Sequence, residues 1–315
     1  MDWFTLIRRY FDFVYSCLTG YVYFLYTRRF TKRKPRKDLT PLDDIAQISP
    51  SITRVLGQNP GPFTLQGTNT YLIGKGKRKF LIDAGEKNNM RYIPKLKEAL
   101  GDATIESIIC THWHQDHTGG CSLVEDHFRT SSGKRPQVYK MRHANKNVKG
   151  CRFVDEGYVF KEDGVTLRVI ETRGHTSDHI ALFYEEEGVL FSGDCILGEG
   201  ASIFENLSDY MRSLKKLLNL PCKLICPGHG PLISDAKGKI EEYIERRQKR
   251  EIQVLNYLQQ VGQANPLEVT RALYKGLPRN VHVAAFVSVR LHLAKLKDEG
   301  KLRKTGFIDY VYVCS

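Results

Sequence analysis

The 315-residue sequence predicts an α/β fold with a smaller helical module at its carboxyl end. Short apolar runs bounded by glycine, proline and polar residues indicate strands, and segments with helical spacing lie between some of them. Four of the predicted strands end in loops that carry histidine or aspartate. The last quarter of the chain instead favours three helices and a hairpin. The first part is therefore expected to hold a functional site, and the second to be a separate module.

The first half of the body alternates strands with helices. Asp83, which ends one strand, predicts either an acceptor that orients a metal ligand or a cap for the following helix. Residues 129–163 are polar and irregular, and they predict little beyond one short strand. The predicted strands are Ile52–Leu56, Thr70–Ile73, Lys79–Asp83, Glu106–Cys110 and Val138–Lys140, and the predicted helices are Tyr92–Leu100 and Cys121–Phe128.

The densest group of metal-ligand side chains directly follows the predicted strand that ends at Cys110. It contains His112, His114, Asp116 and His117 within six positions. Imidazole nitrogen and carboxylate oxygen are ligands that catalytic zinc accepts. A single histidine would be read as an ordinary core or surface residue. This density has no structural use, because such groups are costly to bury unpaired, and it predicts a metal site.

Three further loops each supply one candidate ligand at the end of a predicted strand. His175 follows Val165–Ile170, Asp194 follows Val189–Ser192, and His229 follows Lys223–Cys226. Glycines beside them allow the sharp turns that would bring the ligands to one point. The resulting set of five histidines and two aspartates is too large for one tetrahedral ion. It suits two ions with one bridging carboxylate, an arrangement that performs hydrolysis.

The carboxyl-terminal module resembles a winged helix, because three predicted helices precede a predicted hairpin at Lys301–Val313. Its basic side chains favour contact with a nucleic-acid backbone, although an ordinary solvated helix and turn would look the same. The predicted helices are Lys239–Gln259, Pro266–Tyr274 and Val281–Glu299, and the basic side chains are Lys295, Lys297, Lys301, Arg303 and Lys304. We predict that Lys301, Arg303 and Lys304, together with Asn69, contact the substrate.

Residues 1–40 form an aromatic and basic leader that is joined to the body by a proline-containing linker. Residues 10–26 are near the lower length limit for a membrane span, and arginine and lysine crowd the segment that follows. If they span, the body faces the cytoplasm. The alternatives are a targeting segment and a patch that rests on a membrane surface. In each membrane reading, residues 1–37 make the contact.

The formal net charge of +13 predicts an acidic partner, such as nucleic acid or an anionic membrane surface. The eight cysteines show no framework spacing. They are expected to be free thiols in a reducing compartment.

The run H-x-H-x-D-H at His112–His117, followed in order by His175, Asp194 and His229, resembles the metallo-beta-lactamase superfamily. The resemblance implies an αββα sandwich, with two facing sheets covered by helices. It implies that His112, His114 and His175 hold one zinc ion. Asp116, His117 and His229 would hold a second, with Asp194 bridging and Mn²⁺ as an alternative metal. An aspartate bridge is not typical of true lactamases.

The segments NPGPFTLQGTNTYLIG, THWHQDHTGG, FSGDCILGEG and PGHGP are similar to the beta-lactamase-like protein 2 group. That resemblance implies a metal-dependent endoribonuclease of the mitochondrial matrix that cleaves single-stranded RNA. Arg173 stands where the family commonly has proline. The similarity covers about residue 48 to the carboxyl end, so it leaves the leader and its destination open. The expected domains are 1–40, 45–235 and 238–315.

We expect an endoribonuclease in which a hydroxide between two zinc ions attacks phosphorus and in which the loss of Asp116 should cost the most activity. His179 is a candidate proton donor, or else a structural residue that begins the next strand. The second hypothesis is a thioester hydrolase of the glyoxalase II type. The third is a membrane-tethered RNA-binding protein with an inert site.

Overall fold

The computed structural model describes residues 38–276, 279–305 and 309–313. Within these ranges, the chain up to residue 244 belongs to one compact unit and the chain from residue 245 onward to another. The leader predicted at residues 1–40 lies outside the described residues except for its last three positions. No helix in the described ranges is long and apolar enough to cross a membrane.

The first unit begins with a seven-stranded sheet whose strands follow chain order from one edge to the other. Its first four strands form antiparallel pairs, and the pairs from β4 onward are parallel. The strands are β1 (Ile45–Ser49), β2 (Ile52–Leu56), β3 (Asn69–Ile73), β4 (Arg78–Ile82), β5 (Thr104–Ile109), β6 (Gln137–Lys140) and β7 (Arg152–Phe153).

A second, five-stranded sheet has the order β12-β11-β10-β9-β8. Only its β11–β12 pair is parallel. Since β9 and β11 both run antiparallel to β10, the carboxyl ends of β9, β11 and β12 share one edge. The strands are β8 (Val159–Glu162), β9 (Val165–Glu171), β10 (Ile180–Tyr184), β11 (Val189–Gly193) and β12 (Leu224–Pro227).

The two sheets face each other across an apolar core, and helices cover their outer faces. Alternation along β3 and β4 sends Tyr71, Ile73 and Ile82 into the core between the sheets. Leu72 and Leu81 point the other way, against the helices. The helices of this unit are α1 (Tyr92–Leu100), α2 (Gln115–Thr118), α3 (Cys121–His127) and α4 (Leu207–Leu218). The predicted αββα sandwich is confirmed.

Six elements of the first unit were not predicted from the sequence or were only hinted at. They are β1, β7, β8, β10, α2 and α4. Helix α4 has a clear amphipathic pattern and is capped by Asn206, whose side chain accepts a hydrogen bond from the backbone N–H of Asp209. Its Ser213 hydroxyl donates to the carbonyl of Arg173, which fixes the start of the His175 loop.

The second unit has its own core and a three-stranded sheet in the order β13-β15-β14. A capping box at Asn265 and Glu268 begins the second of its helices. The predicted winged-helix architecture is confirmed, although part of the predicted hairpin turn lies outside the described residues. The elements are the part of α5 (Ala236–Val261) from residue 245 onward, β13 (Gln263–Ala264), α6 (Pro266–Leu273), α7 (Arg279–Asp298), β14 (Leu302–Thr305) and β15 (Asp309–Tyr312).

Candidate metal centre

Four strand ends bring the seven predicted ligands together at one edge of the sandwich. The loop after β5 carries four of them, and the ends of β9, β11 and β12 carry His175, Asp194 and His229. They form two adjoining groups, one of His112, His114, His175 and Asp194 and the other of Asp116, His117 and His229. The predicted set is therefore assembled in the fold. Which ion each residue holds stays a prediction.

In the first group, three imidazole nitrogens converge. His112 Nε2 lies 2.8 Å from His114 Nδ1. His175 Nε2 lies 3.3 Å from His112 Nε2 and 3.1 Å from His114 Nδ1. Three nitrogens at these separations share one small volume, as three ligands of one ion would.

The second group is equally tight. Asp116 Oδ2 lies 3.2 Å from both His117 Nε2 and His229 Nε2. The two imidazole nitrogens are 3.3 Å apart. The group therefore presents two nitrogens and one oxygen to a single point.

Asp194 lies between the two groups and turns one oxygen toward each. Its Oδ1 is 3.4 Å from both His117 Nε2 and His229 Nε2. Its Oδ2 is 3.7 Å from His175 Nε2 and 4.0 Å from His112 Nε2. This is the position that a bridging carboxylate would take.

The donor set fits metal ions. Asp194 Oδ1 is buried and has no hydrogen-bond partner among the described residues, which is costly for a carboxylate oxygen. Converging imidazole lone pairs are also poorly satisfied by one another, because each hydrogen bond between them needs a proton on one nitrogen. Cations between the two groups would satisfy both sets of atoms.

Outer hydrogen bonds fix the orientation of the imidazole rings. The Nδ1–H of His117 donates to Asp83 Oδ2 at 2.7 Å, and the backbone N–H of Thr111 donates to Asp83 Oδ1 at 2.8 Å. The Nδ1–H of His175 donates to the carbonyl of Ile203 at 2.6 Å. In this way both rings turn Nε2 toward the centre. Asp83 was predicted either to orient a metal ligand or to cap a helix, and the structure shows the first of these roles.

The pKa values of the histidines differ between the two groups of ligands. Burial, together with the neighbouring imidazoles, lowers the pKa of His112 well below its ordinary value and that of His114 to about 4. Burial acts in the same direction on His229, but Asp194 and Asp116 outweigh it and raise its pKa to about 10. Burial alone would raise the pKa of Asp116. The positive charges of His117 and His229, and the hydrogen bonds that they donate, outweigh burial and hold this pKa well below its ordinary value. The first group is thus ready to bind a cation, whereas the second must release protons to do so.

Two glycines make this close approach sterically possible. A Cβ at Gly228 would lie 2.4 Å from Asp194 Oδ1. At Gly174, where φ is +129°, a Cβ would lie 2.3 Å from the Cα of Tyr210 in α4. Any side chain at either position would therefore displace a ligand loop.

Two of the predicted site residues lie behind the ligands. The backbone N–H of Asp194 donates to His179 Nε2 at 3.1 Å, and His179 Nδ1–H donates to Thr172 Oγ1 at 2.7 Å. With both nitrogens engaged and the ring buried, His179 supports Asp194, which was the structural alternative. Asn69 is buried as well, and its amide donates to the carbonyls of Pro227 and Gly230 on either side of His229.

The basic residues of the second unit that were predicted to contact the substrate differ in whether an acidic side chain pairs with them. Lys301 forms ion pairs with Glu251 at 3.3 Å and Glu299 at 2.8 Å. Its charge is therefore compensated. Arg303 and Lys304 are exposed on β14 and have no carboxylate within ion-pair distance in the part of the chain that the structure describes.

Sequence reasoning missed several residues that support the site. The Thr68 hydroxyl donates to Asp116 Oδ2 at 3.2 Å. Lys140 and Asp178 form a fully buried ion pair with a separation of 2.7 Å beneath the His175 loop. Asp178 stands three residues after His175 and next to His179, and this proximity was the available signal.

Sequence comparison agrees with this geometry. The pattern of the metallo-beta-lactamase superfamily matches residues 63–229, which contain all seven ligands. The chain belongs to the metallo-beta-lactamase superfamily. The pattern of a beta-lactamase associated winged helix domain matches residues 266–308. The chain is accordingly a superfamily hydrolase with a metal-binding site and a winged-helix domain.

Relatives of this chain include beta-lactamase-like protein 2 homologs and an acyl-carrier-protein thioesterase. A beta-lactamase-like protein 2 homolog of Caenorhabditis elegans is 44% identical over 278 residues, which cover 87% of this chain and 94% of the relative. The corresponding homolog of Drosophila melanogaster is 41% identical, with 85% and 96% covered. An atrochrysone carboxyl ACP thioesterase of Cryptosporiopsis sp. is 40% identical, with 71% and 67% covered.

Among solved structures, a beta-lactamase domain protein from Burkholderia ambifaria matches with a TM-score of 0.74 and 19% identity, and the match covers 88% of this chain and 96% of that one. At that identity the likeness shows the superfamily fold alone.

Proposed function

We propose that this superfamily hydrolase is a two-metal endoribonuclease that cleaves single-stranded RNA, with zinc as the metal and manganese as the alternative. The observation that carries the proposal is the position of Asp194, whose two oxygens face different groups of ligands. Paired metal ions a few ångströms apart are typical of enzymes that cleave phosphate esters. When bound, such ions supply an acidified water and polarise a phosphoryl oxygen.

The residues of the chain hold and shape this site. His112, His114 and His175 would hold one ion, Asp116, His117 and His229 the other, and Asp194 both. The hydrogen bond from Thr68 restricts Asp116 to one orientation. His179 holds the backbone of Asp194 in place and is not assigned a proton-transfer role.

A basic pocket in the winged-helix unit also supports an RNA substrate. It has a volume of about 310 Å³ and is lined by Arg246, Arg247, Lys249, Arg250 and Tyr274. The Arg250 guanidinium lies 4.1 Å from the centre of the Tyr274 ring. Cations beside an aromatic ring are what proteins use to grip single strands.

Thioester hydrolysis is the second candidate. It is favoured by relatives named as acyl-carrier-protein thioesterases, one of which is 40% identical over 229 residues. The same metal centre could polarise a thioester carbonyl. The non-enzymatic alternative, an RNA-binding protein with an inert site, requires lost ligands, whereas all seven predicted ligands lie together.

The decisive experiment offers the purified full-length chain, loaded with zinc or with manganese, a labelled single-stranded RNA and an acyl thioester. We expect RNA cleavage by the wild type and a loss of at least about a hundredfold in Asp116→Ala, because that variant loses a ligand. Asp102→Ala, an exposed change of the same kind in the turn before β5, serves as the matched control. Thioester turnover without RNA cleavage would replace the first candidate by the second. Binding of RNA without turnover of either substrate would favour the inert-site alternative.

We further propose a mitochondrial destination, with membrane anchoring through residues 1–37 as the alternative. A fluorescent protein fused after residue 40 tests this directly. Signal in the mitochondrial matrix supports the first reading, signal at a membrane supports the second, and diffuse cytosolic signal excludes both.

A further inference from the structure

Residues 141–152, which run from the end of β6 to the first residue of β7, are strongly basic and lie beside the metal centre. Their sequence, MRHANKNVKGCR, contains no acidic residue. Arg142, Lys146, Lys149 and Arg152 are all exposed. We call residues 141–152 the basic segment. Such a concentration of one charge attracts partners of the opposite charge.

The conformation of the basic segment is fixed by hydrogen bonds. The Asn147 side chain accepts from the backbone N–H of His143 at 3.0 Å and donates to its carbonyl at 2.7 Å. The ammonium of Lys140, at the end of β6, donates to the carbonyl of Met141 at 2.6 Å. Lys140 also forms the buried ion pair with Asp178. The basic segment is thus fastened to the loop that carries His175.

A second connection runs to the loop that carries His112 and His114. Trp113, which stands between them, is half-buried, and its ring centre is 4.5 Å from that of His114. Lys146 Nζ lies 5.3 Å from the centre of the Trp113 ring, and the rings of His143 and Trp113 are 5.9 Å apart. A cation and an aromatic face therefore lie directly beside the ligand group.

The charges of the basic segment are not compensated within the described residues. No carboxylate there lies within 4 Å of Arg142, Lys146, Lys149 or Arg152. Lys301 of the winged-helix unit, in contrast, is paired twice. The guanidinium of Arg142 is held 3.8 Å above the Phe153 ring, which leaves its N–H groups free to meet an anion.

We propose that the basic segment binds the phosphate backbone of single-stranded RNA beside the metal centre, with Trp113 as the adjacent aromatic contact for a base. The inference rests on the proposed function, because it names the surface that would present RNA to that site. Exposed cations attract phosphates irrespective of sequence, and an aromatic ring stacks on any base. The segment would therefore hold the strand without reading its sequence.

The test uses the full-length chain and the double variant Lys146→Gln/Lys149→Gln, which removes two charges and keeps most of each side chain. The matched control is Lys97→Gln/Lys134→Gln, which removes two exposed charges, one on α1 and one in the turn before β6. Binding is measured by fluorescence anisotropy with a phosphorothioate RNA that resists hydrolysis, over a range of salt concentrations. Cleavage of ordinary RNA is measured separately.

We expect the Kd of the test variant to rise about tenfold, and the slope of log K against log salt to become shallower by about 1.4, or about 0.7 for each lost phosphate contact. In cleavage assays, KM should rise and kcat should stay within about twofold, since the substituted lysines are not ligands. RNA should also quench the fluorescence of Trp113. The variant Trp113→Phe measures the contribution of the other tryptophan, Trp3, which is then subtracted.

Equal loss of binding in the test and control variants would overturn the proposal, because total charge alone would then explain it. Absence of RNA binding by the wild type would overturn it as well. Binding that depends on the segment, without any cleavage of ordinary RNA, would instead disprove the endoribonuclease function and leave this binding surface in place.

Discussion

At the scale of single residues, Asp83 shows how a buried carboxylate outside the ligand set controls a ligand. It adopts a positive φ of 57° and accepts hydrogen bonds from the Thr111 backbone and from His117. An aspartate tolerates this backbone conformation better than most residues other than glycine. The unusual backbone conformation of Asp83 thus occurs where its side chain sets which nitrogen of His117 faces the metal centre.

Replacement of Asp83 should therefore weaken metal binding although it is not a ligand. We expect Asp83→Ala to reduce the affinity for zinc by about 10–100-fold, because His117 loses the acceptor that fixes its ring. Isothermal titration of the metal-depleted protein measures this. Asp83→Asn keeps one acceptor oxygen and should lose less. Equal affinities in Asp83→Ala and the wild type would show that His117 is oriented by other contacts.

The residue scale also shows why the support of the site was harder to predict than its ligands. His112, His114 and His117 crowd one short run, and metal chemistry alone singles them out. Thr68 and Asn69 belong to an ordinary strand and loop pattern. Their roles depend on partners 48 residues or more away, which no local pattern reveals.

At the scale of elements, the buried ion pair of Lys140 and Asp178 joins the end of β6 to the loop after β9. Both side chains are fully buried, and their charged atoms are 2.7 Å apart. Thr176 Oγ1 donates a further hydrogen bond to Asp178 at 2.8 Å. The pair thus fastens an element of one sheet to a ligand loop of the other.

Removal of one partner should be far more harmful than removal of both. We expect Lys140→Met to lower the free energy of unfolding by about 3–5 kcal/mol, because Asp178 would remain buried as an unpaired charge. The double variant Lys140→Met/Asp178→Leu should recover much of that loss. Urea denaturation of the wild type, both single variants and the double variant provides the comparison. Strict additivity of the two single effects would contradict coupling between the side chains.

The sequence predicted helices and strands correctly where a local pattern specifies them. It failed where a strand forms only by pairing with a distant segment. Tyr92–Leu100 was predicted with its observed bounds, because apolar residues recur there at helical spacing. The two-residue strand β7 exists only because β6 lies beside it. Helix α4 differs from β7, since its spacing and its cap were readable in the sequence and were overlooked.

At the scale of the whole molecule, the net charge of +13 is the feature that most separates the two candidate activities. Part of this charge is neutralised locally, as Lys295 shows by pairing with Glu251 and Glu299. Other cations, including those of residues 141–152, have no such partner among the described residues. An excess of this kind attracts polyanions over long distances.

Ionic strength should therefore affect the two activities differently. We expect the affinity for single-stranded RNA to fall with salt, with a log–log slope steeper than about −2, which corresponds to about three phosphate contacts. Hydrolysis of an uncharged thioester should change by less than about twofold over the same range, because no counterions are released. Parallel titrations of both substrates with potassium chloride make the comparison. An RNA affinity that is independent of salt would exclude a role for the excess charge.

The sequence by itself determined the fold class, the seven metal-ligand candidates and the winged-helix module. Each follows from residue types at short or regular spacing: apolar runs, the His112–His117 cluster, and ligands placed directly after strands. Only the tertiary structure decided the role of Asp83, the placement of His179 behind Asp194 and the contact between residues 141–152 and Trp113. The physical reason is that ligand chemistry resides in a side chain, whereas orientation, burial and charge compensation depend on which distant segments pack around it.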